Sequence, residues 1–353
     1  MKLISLFLSS ILLLSTFGCL LLASAQTPSP VIGILSQPVP IQFSNNGRQQ
    51  YIIAASYVKW VEAGGARSIP IPYDASPALV KDLFGQIDAL LLPGGASDVP
   101  ESVFYLLTLA LKEGRFPVWG TCLGFEYLVQ VMSSNSSSQI LGDDYDAENI
   151  SLPLYQVQPA ELYQDDHILD IVQNYNVTMN NHHKGLHPQR FRDDPQLTHY
   201  WTITSMNVDR QGKPFVSTIE PKDPDTFPWY GIQYHPEKNV FEYGTYPGTN
   251  IPYEAIDHSE QAVEFSLYLA RFFVGLVSSS SGNNNNKNER HSYTKPEKYP
   301  LVDTYPIKLG VAFEQYYIIP SAEHWEYSSD EYRRYQGLRK WNAWYRRNKL
   351  TLY

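Results

Sequence analysis

The chain has 353 residues, 43% hydrophobic and 14% aromatic, with 27 Lys and Arg against 36 Asp and Glu. That length carries one large α/β core plus an appendage, and the apolar content excludes disorder over most of it. The acidic balance argues against nucleic acid as a partner. From the N-terminus, Lys2, an apolar run to Leu22 and Ala23-Ser24-Ala25 have the form of a secretory signal peptide with an A-x-A cleavage site. Residues 1–25 are therefore expected to be removed; a retained membrane anchor is the competing reading, and no comparable apolar run follows. The mature chain keeps 26 basic and 36 acidic side chains, a net charge of −10.

Val31-Ile32-Gly33-Ile34-Leu35 is a short apolar run between Pro30 and Pro38, the pattern of a buried strand. Residues 50–63 read as one helix, with Tyr51, Ala54, Tyr57, Val58 and Val61 on a shared face and Gly64-Gly65 as its stop. A strand over 66–71 follows, and Ser76-Pro77 opens a helix that Gly85 closes. Residues 88–92 form the next strand, ending in Pro93-Gly94-Gly95; a helix over 101–113 and a strand over 116–119 complete the alternation. This order implies a three-layer α/β/α sandwich with a mostly parallel central sheet. Ligands in such folds sit where loops leave the carboxyl ends of the strands, here after Leu92 and Trp119.

Residues 135–225 are polar, with a strand-like piece at 215–219; a strand returns at 229–234, and Ser259 N-caps a helix to about Val274. The expected organisation is a signal peptide (1–25), a main α/β domain (26–277), a Ser/Asn-rich linker (278–290) and a Tyr-rich tail (291–353). The tail ends in a basic amphipathic helix near 329–349, with Tyr332, Tyr335, Leu338, Trp341 and Tyr345 on one face. Residues 26–286 carry 14 basic and 28 acidic side chains, whereas 287–353 carry 12 and 8. Docking of the tail on the acidic body is therefore favoured over contact of this helix with an anionic membrane.

Cys19 leaves with the signal, so Cys122 is the only thiol of the mature chain and no intramolecular disulfide can form. Asn135, Asn149 and Asn176 each begin an N-x-Ser/Thr sequon, which suits the same secretory route. Cys122 lies in Gly120-Thr121-Cys122-Leu123-Gly124, between a strand and a helix over 123–132, an elbow with cysteine in the place of serine. The helix N-terminus favours a thiolate and offers a backbone N–H to an oxyanion. A base must sit nearby, and His235 qualifies because it ends the strand Gly231-Ile232-Gln233-Tyr234. Glu237, two residues on, can turn back to orient the imidazole. His182, His183 and His187 lack a Cys or acid at convincing ligand spacing, so neither a metal nor a cofactor is expected.

Gly-Thr-Cys-Leu-Gly-Phe-Glu at 120–126, Leu-Leu-Pro-Gly-Gly at 91–95 and Tyr-His-Pro-Glu-Lys at 234–238 resemble class I glutamine-amidotransferase-like proteins, in particular their secreted branch, the folate γ-glutamyl hydrolases. The likeness runs from Pro30 to about Phe273. It implies an acylated Cys122, a proton-transferring His235 oriented by Glu237, and His182, Glu126 and Gln233 along the substrate cleft. Gly94, Gly95 and Leu123 would present backbone N–H groups to an oxyanion. The implied substrate is a small molecule, folylpoly-γ-glutamate, and the implied residence is extracellular or lysosomal/vacuolar. A glutaminase, a hydrolase of another γ-glutamyl amide and a non-catalytic folate- or glycan-binding protein are the rival readings. Oligomeric state is left open between monomer and homodimer.

Overall fold

The structure is a computed structural model that describes residues 29–39, 49–134, 138–279, 291–310 and 313–326. The signal segment, the Asn135 sequon, most of the linker and the basic helix expected near 329–349 lie outside the described residues.

In chain order the first elements are strands β1 (Val31–Leu35), β2 (Gln37–Pro38) and β3 (Tyr51–Ala54), then helix α1 (Ala55–Ala63), β4 (Arg67–Ile71), α2 (Pro77–Phe84), β5 (Ala89–Leu92), α3 (Glu101–Glu113), β6 (Val118–Thr121) and α4 (Leu123–Met132). They are followed by β7 (Ala147–Leu152), α5 (Asp166–Asn174), β8 (Thr178–His182), α6 (Pro188–Asp193), α7 (Pro195–Tyr200), β9 (Trp201–Val208), β10 (Pro214–Pro221), β11 (Trp229–Ile232), α8 (Lys238–Phe241), α9 (Glu260–Ser279), β12 (Ile307–Leu309), β13 (Gln315–Ile319) and α10 (Glu323–Glu326).

A seven-stranded sheet in the order β4-β1-β5-β6-β11-β10-β9 forms the middle layer. β4, β1, β5, β6 and β11 pair in parallel, and β10 and β9 complete the sheet antiparallel. Alternate residues bury into opposite faces. Leu90, Leu92 and Val118 join Leu83, Leu106 and Phe125 of α2, α3 and α4, while Ala89, Leu91 and Trp119 join Trp60, Ile171 and Phe273 of α1, α5 and α9. Both faces being covered is why these strands read as continuous apolar runs. The expected N-caps are present: Ser76 Oγ accepts from Leu79 N–H at 3.3 Å and Ser259 Oγ from Ala262 N–H at 3.3 Å.

Two expectations change. Residues 50–63 are not one helix, because Tyr51–Ala54 is a strand that pairs with β2 and with β13 in a second sheet, β12-β13-β3-β2. Tyr51-Ile52-Ile53 combines aromatic and β-branched side chains that favour extended backbone once a partner is present. That partner lies more than 250 residues away in sequence. The strand expected at 215–219 is part of β10, but the polar stretch 135–225 holds more order than that, namely β9 and an antiparallel β7-β8 pair whose strands are separated by α5.

The second change concerns the tail. Tyr299, Val302, Ile319 and Ala322 are at most 3% exposed and belong to the two main core clusters. Lys295, Lys298 and the Tyr299 hydroxyl converge on Asp82, and Arg67 meets Asp303 at 3.8 Å. Ion pairs of both polarities thus join residues 291–326 to the body, and these residues are part of the core rather than an appendage. Each large apolar side chain lost from a core costs about 1.5–3 kcal/mol. Truncation before residue 291 should therefore lower the melting temperature by more than about 10 °C or leave the protein insoluble. An unchanged melting curve would contradict this packing.

Candidate active site

β5, β6 and β11 are neighbours running in the same direction, with Leu92 opposite Gly120 and Thr121 opposite Ile232. Their carboxyl ends therefore release Gly94-Gly95, Cys122 and His235 at one rim of the sheet. Cys122 has φ 51° and ψ −106°, a left-handed conformation that costs a non-glycine residue about 1–3 kcal/mol. It is fixed by a bond from its own N–H to Ile232 O at 2.8 Å and by Glu126 N–H donating to Cys122 O at 3.0 Å. The two flanking glycines allow close approach: a Cβ on Gly120 would lie 2.7 Å from Gly124 O, and one on Gly124 only 1.9 Å from Leu92 O.

His235 is placed by its N–H, which donates to Met179 O at 2.8 Å, tying β8 to the rim. Its Nδ1 lies 2.8 Å from Glu237 Oε1, and the Glu237 side chain is fully buried. Burial pushes the His235 pKa down, but the Glu237 carboxylate and the Cys122 sulfur outweigh it and raise the pKa to about 10. The imidazole is thus held in its protonated form at neutral pH, with one side on Glu237 and the other toward Cys122. Cys122, His235 and Glu237 are brought together as the sequence suggested. Such a trio can deliver a sulfur nucleophile and a proton donor to a carbonyl.

Leu123 is the first residue of α4, so its N–H has no partner within the helix. Gly94 behaves differently from expectation. Its N–H donates to Tyr57 Oη at 2.7 Å, so it is already engaged, and the expected oxyanion donors narrow to Leu123 and Gly95. Glycine is still required at 94, because a Cβ there would meet the His235 ring at 2.5 Å. Tyr57 Oη also lies 3.3 Å from His235 Nδ1. Sequence reasoning placed Tyr57 on an apolar helix face and missed this role; nothing in the local pattern distinguishes a core tyrosine from one reaching a histidine 178 positions away. Gln37, also overlooked, packs its side chain against Gly95 and accepts from Ser97 Oγ at 2.8 Å.

Gln233 Nε2 lies 4.0 Å from Cys122 Sγ and donates to Glu126 Oε1 at 3.3 Å, so both residues sit beside the sulfur. Burial raises the Glu126 pKa to about 7, against the pull of Gln233 and Lys184. His182 is buried rather than in a solvated loop: its Nδ1 lies 2.6 Å from Lys184 O, its Nε2 3.3 Å from Asn180 Oδ1, and its ring packs edge-on against Phe215. Burial pushes its pKa down to about 4, and the positive His235 adds to the shift. His183 instead pairs with Glu148 at 3.4 Å, and His187 accepts from Gln189 N–H at the start of α6, so the three histidines do not converge. Lys238 is buried and bonded to both oxygens of Glu254, whereas Lys184 is exposed. Asn149 and Asn176 are both exposed.

Fold and site define the class: a three-layer α/β/α protein whose strand-to-helix elbow carries cysteine at the carboxyl ends of parallel strands. Residues 30–106 match the Peptidase C26 family model. γ-Glutamyl hydrolase B of Dictyostelium discoideum is 34% identical over 305 residues, covering 82% of this chain and 83% of its own. The γ-glutamyl hydrolase of Homo sapiens is 33% identical over 314 residues (82% and 89%), and γ-glutamyl hydrolase 1 of Arabidopsis thaliana 31% over 305 residues (82% and 82%). The chain belongs to the γ-glutamyl hydrolase family.

Proposed function

We propose that this protein hydrolyses γ-glutamyl amide bonds in folylpoly-γ-glutamates through a thioester on Cys122. The observation that carries the reading is the convergence of Cys122, His235 and Glu237 on adjacent strand ends, with His235 protonated. Cys122 Sγ attacks the γ-carbonyl carbon, and the carbonyl electrons move to the oxygen, which the Leu123 and Gly95 N–H groups receive. As the tetrahedral species collapses, the C–N bond breaks and the His235 imidazolium passes its proton to the departing amine. Water then adds to the thioester, His235 takes up its proton, and the sulfur leaves as thiolate. Glu237 keeps the imidazole oriented and its charge favourable throughout. Each backbone donor to the oxyanion is worth roughly 3–4 kcal/mol in such sites.

The net −10 of the mature chain repels a polyanionic substrate at long range, so attraction must be local. Exposed Lys184, whose charge already reaches Glu126, supports that reading. Purified protein should release glutamate or short γ-linked fragments from a synthetic γ-linked oligoglutamate and leave the α-linked isomer intact. Absence of turnover on the γ-linked chain would overturn the assignment.

Entry into the secretory pathway belongs to the same proposal. Among the described residues no helix is long and apolar enough to cross a membrane. Exposed Asn149 and Asn176 support glycosylation at these sequons. Protein made in a eukaryotic host should begin near Gln26 and lose mass on glycosidase treatment. A product that starts at Met1 with no such loss would contradict it.

A further inference from the structure

Residues 242–258, the loop between α8 and α9, enclose a cavity of about 230 Å³ that the chemistry above does not use. Tyr243, Tyr253 and His258 line it with aromatic rings, and Glu242 and Glu254 add carboxylates. We propose that this cavity is a subsite for a flat heteroaromatic group bearing adjacent N–H donors, the pterin ring of a folyl substrate. The inference rests on the γ-glutamyl hydrolase reading and extends it to the head of the substrate.

Position is the first argument. Lys238, three residues beyond His235, bonds both Glu254 oxygens at 2.5 and 2.6 Å, and Asn181, next to His182, donates to Glu254 at 2.6 Å. The cavity wall is thus built directly onto residues adjoining the catalytic rim. Ring geometry is the second. Tyr243 stacks on His258 with centroids 4.0 Å apart and planes 16° apart, yet remains 54% exposed. An aromatic ring supported on one side and accessible on the other is a stacking platform.

Charge is the third argument. Lys238 matches the Glu254 carboxylate, and none of the lining residues is a Lys or Arg that could draw in the γ-glutamate tail, so the cavity suits the uncharged head instead. A carboxylate accepts two parallel N–H bonds from a donor pair such as the amino group and ring amide of a pterin. Glu242 Oε2 takes a bond from Glu314 N–H at 2.6 Å and retains further acceptor capacity.

The C-terminal segment keeps the cavity shaped. Glu314 Oε2 accepts from Tyr243 N–H at 3.0 Å, and Gln315 Oε1 accepts from Lys59 Nζ at 2.8 Å. The first bond ties the loop to the tail, and the second ties the tail to α1. A preformed subsite avoids the ordering cost that a mobile loop would add to binding.

The test compares a pteroyl-γ-oligoglutamate with a headless γ-oligoglutamate of equal length, in wild type, Tyr243→Ala and Tyr243→Phe. In wild type the head should lower KM roughly tenfold, the size expected for one stacking contact with its hydrogen bonds. Tyr243→Ala should abolish that advantage, while kcat on both substrates and KM on the headless chain stay within about twofold. Tyr243→Phe should restore it. An undiminished head advantage in Tyr243→Ala, or none in wild type, overturns the subsite. Equilibrium dialysis of pteroic acid against wild type and Tyr243→Ala makes the comparison without turnover. Weaker binding to the variant supports the subsite even if γ-glutamyl hydrolysis fails, and equal binding refutes it.

Discussion

Replacing Cys122 by alanine should leave less than about one hundredth of wild-type turnover, with the protein still folded. The sulfur stands at the elbow beside His235, and the elbow bonds that hold it are backbone bonds an alanine keeps. Alanine also adopts the left-handed φ of 51° at about the same cost as cysteine. With residues 1–25 removed as proposed, Cys122 is the sole thiol, and iodoacetamide should add one equivalent while activity falls in proportion. Turnover by Cys122→Ala above one part in a hundred, or alkylation without inactivation, would remove the sulfur from the mechanism.

Glu237→Gln should cost roughly 10²- to 10⁴-fold in kcat. The buried carboxylate accepts from His235 Nδ1 at 2.8 Å, and its charge is a main reason that the imidazole stays protonated despite burial. A glutamine can still accept a hydrogen bond but supplies no charge. The same change should alter how stability depends on pH. His235 in the folded protein has a pKa of about 10 against 6.5 for a free histidine, so the folded state binds its proton more tightly than the unfolded state. That stabilisation is complete below about pH 6.5 and is lost as pH rises through about 10. Wild type should accordingly lose more melting temperature between neutral and alkaline pH than Glu237→Gln. Parallel curves for the two proteins would show that Glu237 does not hold the charge on His235.

Much of this site was legible because its parts are local. Gly120 to Gly124 needs two glycines around a strained residue, and the strand ending at His235 carries its own orienter two positions later. The parallel alternation of β1 through β6 then places those loops at one edge without any knowledge of long-range contacts. What escaped depends on contacts across the chain. Tyr51-Ile52-Ile53 becomes a strand because Gln315–Ile319 and Gln37–Pro38 pair with it on either side, and a helical period can be read into the same residues. Tyr57 reaches Gly94 and His235 only after that strand has set the start of α1. Tyr299, Val302 and Ile319 did carry an apolar signal within the Tyr-rich segment. The linker before them suggested an independent tail, but linker composition says nothing about where the chain beyond it packs.

The most direct measurement of the central claim is the mass of the enzyme quenched in acid during turnover of a γ-linked oligoglutamate. Acid protects a thioester from hydrolysis, so the acylated fraction survives for peptide mapping. The account predicts a γ-glutamyl increment on the peptide carrying Cys122, absent from Cys122→Ala and removed by hydroxylamine. Active enzyme that shows no acyl adduct at any quench time, together with transfer of solvent oxygen to product in a Cys122→Ala enzyme of undiminished rate, would contradict it.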